Sequence, residues 1–243
     1  MPNSDQNKYK FNLLYRLAAV AALTTVFVTL LQIILGILWP PPSFAPTTES
    51  AVRILEMAQL NPVLTFLKLD GLMILDYLLL IMVYLALYQS LKHSNPSLML
   101  LATALAFIAV TLYIMTNPAA TMIVLAMNYS PSGGANSGIV TAAQTILANF
   151  QGTAFLVHYV IMGVSGILVG LTMLRSNTFS RSTAIAGLTQ GTMMLVPVTF
   201  GMVGLLIALG SLIPFIIWFI LIAIQLNRMA SAGDAKTLST PID

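Results

Sequence analysis

Asp70, Asp76 and His158 fall inside long apolar stretches of this chain, and each is a side chain of a type that does chemistry. An ionised carboxylate at the centre of a bilayer costs at least about 2.5 kcal/mol. An acid kept there is therefore either a proton, cation or substrate site or a neutral acid bonded to a neighbouring helix. Asp76 is open to both readings. It is expected to be buried and protonated, because Lys68, the nearest cation on its own segment, lies about 12 Å away along a helix axis. Asp70 has Lys68 close in sequence, and both can reach an interface by snorkelling. The two carboxylates stand about 9 Å apart along the axis and about 120° around it, so they form no dyad by themselves. His158 reads as a hydrogen-bonding group turned toward other helices. Pigment or haem ligation by His158 is the weaker reading, since His93, the other histidine, sits in a turn and supplies no second ligand. Gln32, Gln151 and Gln190 are the amides expected to line a ligand site with these groups. No resident cofactor or metal is expected.

Motifs that would signal catalysis fail on geometry. Gly163-Val164-Ser165-Gly166 matches the GxSG of rhomboid intramembrane proteases, on the fourth of six expected helices. That family needs a histidine on its sixth helix, and the sixth apolar stretch here has none. His158 lies on Ser165's own helix, about 10.5 Å along the axis, where a nucleophile and its base must approach to about 3 Å. The four residues are read as a glycine-rich packing face. Lys68-Leu69-Asp70-Gly71 departs from the GxGD of aspartyl intramembrane proteases, and there is no HExxH. With zero cysteines, thiolate nucleophiles, Cys-ligated metals and disulfides are excluded. A non-enzymatic role is the favoured reading.

The elements that must position these residues are membrane helices. Of 243 residues, 58% are hydrophobic and 7% charged, and the mean hydropathy is +0.92; such a surface needs a bilayer as its solvent. Runs of about 20 apolar residues predict six spans, near Leu13 to Leu38, Leu64 to Leu91, Ser97 to Met127, Thr145 to Leu174, Ser182 to Thr199 and Met202 to Leu226. Gly201 and Gly204 must then make the turn between the last two. The first run is too long for a signal peptide and ends in Trp39-Pro40-Pro41-Pro42, so it is expected to stay as a helix. Lys8, Lys10, Arg16, Lys92, Arg175, Arg181, Arg228 and Lys236 all fall at one set of helix ends, while the opposite connections hold only Arg53, offset by Glu49 and Glu56. The positive-inside rule places both termini in the cytoplasm. The net charge of +3 follows from that topology, and nucleic acid is not an expected partner. Residues 1–12 and 230–243 are expected as cytoplasmic tails, the second disordered, around one domain over 13–229.

Two connections are long enough to fold. Thr47 or Thr48 can cap a short helix with Ala51, Ile54, Leu55 and Ala58 on one face, stopped by Asn61-Pro62 and expected to lie on the membrane surface. Asn128 to Gly138 has turn chemistry without a phosphate-binding Lys. Asn117-Pro118 predicts a kink or an early helix end. Thr25, Thr29, Gln32 and Gly36 share one face of the first span. Gln144, Gln151, His158, Ser165 and Thr172 recur every seven residues along the fourth. Gln151, His158 and Ser165 are accordingly expected to face the bundle interior. Ala184, Gly187 and Gly191 form a small-xxx-small surface in the fifth.

Over roughly Leu13 to Met229 the order of features resembles the bacterial membrane proteins grouped as the domain of unknown function 4386 family. The carriers are Leu14-Tyr15-Arg16-Leu17-Ala18, Tyr84-Leu85-Ala86-Leu87-Tyr88, Thr116-Asn117-Pro118-Ala119, Gln151-Gly152-Thr153-Ala154-Phe155 and Met173-Leu174-Arg175-Ser176. The resemblance implies a six-helix protein of the bacterial inner membrane and transfers no catalytic residue. The expectation is an all-α, polytopic six-helix bundle that binds or passes a small ligand, proton or ion in an outer-half polar pocket. Asp76 and His158 would be its chemical groups, with Asp70, Gln32, Gln151 and Gln190 around them. An accessory subunit packed on a membrane-protein partner or on a second copy is the alternative, and a membrane-embedded lipid-modifying enzyme the third reading.

Overall fold

The computed structural model describes residues 11–130, 136–198 and 200–237, and among these there are helices and connections but no strand. Residues 1–10, 131–135, 199 and 238–243 lie outside the described residues, and with them part of the expected N-terminal tail and of the Asn128 to Gly138 connection. The helices are α1 (Asn12–Leu38), α2 (Thr48–Leu60), α3 (Pro62–Lys68), α4 (Gly71–Leu91), α5 (Pro96–Thr116), α6 (Ala119–Ala126), α7 (Asn136–Phe150), α8 (Thr153–Leu174), α9 (Arg181–Met193) and α10 (Gly201–Thr237).

Five helical stretches are long and apolar enough to cross a bilayer: Asn12–Leu38, Gly71–Leu91, Pro96–Ala126, Asn136–Leu174 and Gly201–Ala232. The stretch expected over Ser182 to Thr199 is not among them. Its helix, α9, has 13 residues, about 20 Å at 1.5 Å per residue, against a hydrocarbon core of about 30 Å. Gly, Thr and Ser dilute its apolar residues, and Pro197 follows its end. Three other expected spans are interrupted, at Leu69-Asp70, at Asn117-Pro118 and at Gln151-Gly152. At the opposite extreme, α10 runs past Met229 to Thr237 with Ala230 buried, where a disordered tail was expected. Met229, Ala230, Ser231 and Ala232 contain no helix breaker. Gly201 opens α10 at φ +67°, the left-handed conformation that the expected turn requires.

The chain divides into two compact units. One comprises the described parts of residues 1–26, 78–107 and 160–243; the other comprises 27–77 and 108–159. α1, α4, α5 and α8 contribute to both.

In the first unit α8, α9 and α10 pack through small residues. A Cβ on Gly163 would stand 2.7 Å from the Gly191 carbonyl oxygen, and one on Gly191 would stand 2.7 Å from that of Gly163. The two backbones touch. Gly187 leaves room for the Trp218 indole, whose Cε2 and Nε1 lie 2.7 Å from where its Cβ would be. Near the far end of α10, Gln225 Nε2 donates to the Thr178 carbonyl at 2.6 Å. α9 and α10 are therefore an antiparallel pair, and α10 returns to the turn from which α9 starts. Ser165 is fully buried, and its hydroxyl donates to the Ala102 carbonyl at 2.8 Å. GxSG is a packing face.

In the second unit α2, α3, α6 and α7 gather around Ile54, Leu55, Ala58, Leu69, Met122 and Leu147. Thr47 caps α2 by accepting from the Ser50 N–H at 3.2 Å. Asn61 ends α2 and starts α3, accepting from the Leu64 N–H at 2.9 Å with Pro62 in the first helical position. The apolar face of α2, on the residues expected to share it, is buried against protein. Ala119, Met122, Ala126, Ala143 and Leu147 cover it, because α6 and α7 also need an apolar partner.

Candidate functional site

Two helix breaks meet in the second unit. α3 ends at Lys68, Leu69 caps it, and Asp70 takes φ 59° before α4 begins at Gly71. Few L-residues accept this left-handed conformation; Asp and Asn do so most readily after Gly. α5 ends at Thr116 because Pro118 lacks an N–H for the ladder and disfavours helical geometry in the residue before it. Asn117 fills the gap. Its Oδ1 accepts from the Ala119 N–H at 3.0 Å, and its Nδ2 donates to the Asp70 carbonyl at 3.1 Å. One buried amide thus satisfies backbone groups at both breaks.

The Asp70 side chain points to α1. Gln32 Nε2 donates to Asp70 Oδ1 at 3.0 Å and to the Leu67 carbonyl at 3.1 Å. Two acceptors facing one amide terminus assign that terminus as the NH2, which fixes Oε1 on the opposite side. Gln32 Oε1 is buried without a hydrogen-bond partner among the described residues. These groups border a pocket of about 140 Å³. Its polar lining is Gln32, Lys68 and Asp70; Trp39, Gly36, Leu64 and Leu67 supply the main apolar walls.

His158 and Asp76 lie elsewhere in the same unit and do not line that pocket. His158 is fully buried. Its Nδ1 stands 3.0 Å from the Ala109 carbonyl, an obligate acceptor, so Nδ1 carries the hydrogen. In the neutral ring Nε2 is then an acceptor, and the Tyr77 hydroxyl donates to it at 2.8 Å. Tyr77 stacks on Tyr113 with centroids 3.8 Å apart, and Tyr113, Phe155 and Tyr159 surround the imidazole. With both nitrogens engaged, a metal or haem iron would have to displace Tyr77 or Ala109. The arrangement is a polar rivet in an aromatic box.

Asp76 is 4% exposed and accepts from Thr29 Oγ1 at 2.8 Å, while its Oδ1 has no hydrogen-bond partner among the described residues. It joins α4 to α1 one turn and a half beyond the Asp70 contact. Gln151 departs from the expectation that it faces inward. It is exposed, because the helix breaks at Gln151-Gly152 and the seven-residue line restarts in α8. Gln190 is 6% exposed but belongs to the other unit, where its amide lies 2.7 Å from the Met194 sulfur on its own helix turn. Of the six expected site residues, Gln32 and Asp70 are the two brought together at a pocket. Asn117, Tyr77 and Lys68 are the contributors that type and spacing alone did not single out; an Asn-Pro within an apolar run was the available signal for the first.

The profile of the family described as Domain of unknown function (DUF4386) matches residues 28–226. The chain belongs to that family. The match takes in Gln32, Asp70, Asp76, Asn117 and His158, so the paired breaks lie within the DUF4386 region. No curated protein and no solved structure matches the chain. This DUF4386 protein is a transmembrane helical protein.

Proposed function

We propose that this is a six-span protein of the bacterial cytoplasmic membrane, with both termini inside, that binds a small polar ligand or ion at the Gln32–Asp70 pocket on the outer side. The observation that carries the reading is the pair of joined helix breaks beside that pocket. Non-helical backbone at membrane depth persists only where protein buries it or where it lines a cavity, and discontinuous helices are where membrane proteins place ligand and ion sites. Here the break supplies a carboxylate and a backbone carbonyl at one place, both held by the Gln32 amide of α1.

The topology draws support from two contacts. Lys92, between α4 and α5, lies 5.9 Å over the Phe11 ring at the start of α1, and Gln225 reaches Thr178 between α8 and α9. Each contact joins ends that the Lys/Arg asymmetry assigns to the cytoplasm. In this reading α9 is the helical part of the fifth crossing. Binding or passage, without chemistry on the ligand, is the role assigned.

The test is a thermal-shift screen of the purified protein with monovalent and divalent cations, small polar solutes and phospholipids. Stabilisation by at least one of them that is lost on Gly36→Leu supports the reading, because a Cβ at Gly36 meets nothing within 4 Å and the longer side chain fills the pocket without displacing neighbours. Stabilisation by none, or an equal effect on both proteins, contradicts it. The accessory-subunit reading draws on α10, whose most apolar window is 22% buried against 33–44% in the other four; a partner or second copy on that face would cross-link through a cysteine at Leu206.

A further inference from the structure

Lys68 and Asp70 border the same pocket, two residues apart, and among the described residues neither is in an ion pair. A cation and an anion left unpaired at one cavity match a ligand that carries both charges. The acceptors set the kind of cation. Asp70 lines the pocket, and its carboxylate has lone pairs beyond the one to which Gln32 Nε2 donates. The Leu67 carbonyl accepts from the same amide beside it. A primary ammonium has three N–H donors for such acceptors; a quaternary ammonium has none and would leave the carboxylate without a charge-assisted bond. Lys68 then faces the anionic end of the ligand, and an ammonium balances a phosphate as a point charge does.

The position of the pocket points to a membrane source. Trp39 borders it where α1 gives way to Pro40 and Pro41, the place of an interfacial aromatic anchor. Ile37, Leu38 and Val63, each next in sequence to a lining residue, are exposed apolar side chains against which an acyl chain can lie.

We infer that the Gln32–Lys68–Asp70 pocket recognises a primary ammonium joined to a phosphate, the chemistry of an ethanolamine phospholipid headgroup and of free phosphoethanolamine. This rests on the pocket reading above and names its ligand class. The full chain, in nanodiscs of phosphatidylglycerol alone, is titrated with phosphatidylethanolamine or with phosphatidylcholine, and in detergent with O-phosphoethanolamine. Trp39 emission reports occupancy, assigned by its absence in Trp39→Phe. The expected result is a saturable change with phosphatidylethanolamine, weakened about 10- to 100-fold by Asp70→Asn and by Lys68→Gln, the loss of one charge-assisted bond each, and abolished by Gly36→Leu. Phosphatidylcholine should bind at least about tenfold more weakly. A response to O-phosphoethanolamine as strong as to the lipid assigns a soluble ligand, and a response to the lipid alone assigns the headgroup; both uphold the shared chemistry. Equal responses to the two lipids, or insensitivity to Asp70→Asn and Gly36→Leu, overturn the inference. If neither ethanolamine compound binds while a cation or another solute gives a Gly36-dependent thermal shift, this inference fails and the pocket reading stands. If nothing binds, both fail.

Discussion

Asp70 has two separable jobs, one of backbone and one of side chain. Its φ of 59° is a conformation that costs most L-residues about 1–2 kcal/mol and glycine little. Asp70→Gly should therefore keep or slightly raise the unfolding midpoint while removing the carboxylate, so ligand-induced stabilisation is lost from a protein that folds as well as before. Asp70→Ala should lose both, with a stability cost of about 1–2 kcal/mol in chemical denaturation. Tyr77→Phe should do the reverse of Asp70→Gly. It strips the donor from His158 Nε2 in a fully buried ring, a loss of about 1–3 kcal/mol in stability, with ligand binding unchanged. Asp76→Asn retains an acceptor for Thr29 and should leave both the fold and the ligand response intact; a lost or pH-shifted response in that variant would mark Asp76 as part of the site.

At the scale of elements, the breaks and the close approaches carry the architecture. Asn117→Ala removes donors and acceptors from two helix ends at once and should destabilise by about 1–3 kcal/mol, with a fall in pocket affinity because Asp70 loses its backbone tether. Gly191→Leu should destabilise more, since its side chain would meet the Gly163 carbonyl and the α8 backbone, which cannot step aside as a side-chain tip can. Much of this was readable beforehand. Gly163 and Gly191 announced close packing by spacing, Thr47 was one of two candidate caps, Asn61-Pro62 announced the stop of α2, and Pro118 announced its break. The remainder was not, for physical reasons. The helix break at Asp70 has no Pro to signal it, because a left-handed Asp is a choice made by the contacts to Gln32 and Asn117. Nothing in the local pattern of α2 says whether lipid or protein covers an amphipathic face. A seven-residue polar line predicts one face only while the helix continues, and Gln151-Gly152 interrupts it. Hydropathy alone likewise reads residues 182–199 as one continuous helix, although among the described residues the helix there covers 181–193.

For the whole molecule, the family match and the five long apolar helices define a membrane protein whose candidate chemistry is concentrated in residues 27–77 and 108–159. Its proposed topology is open to labelling: a cysteine at Ser43 should react with an impermeant thiol reagent added outside intact cells, and one at Ser94 should not. Labelling of Ser94 from outside would break the assignment of the basic turns to the cytoplasm. The binding claim has a more direct test in the thermal unfolding of the wild-type protein and Gly36→Leu, each with and without saturating O-phosphoethanolamine, with and without phosphatidylethanolamine, and with each cation of the screen. A ligand present at about one hundred times its Kd should stabilise the wild type by about 2.7 kcal/mol and leave Gly36→Leu unmoved, with Gly36→Leu no less stable than the wild type when no ligand is added, since Leu replaces Gly within a helix. Equal stabilisation of both proteins, or no stabilisation of the wild type by any of these compounds, would contradict a ligand site at the Gln32–Asp70 pocket.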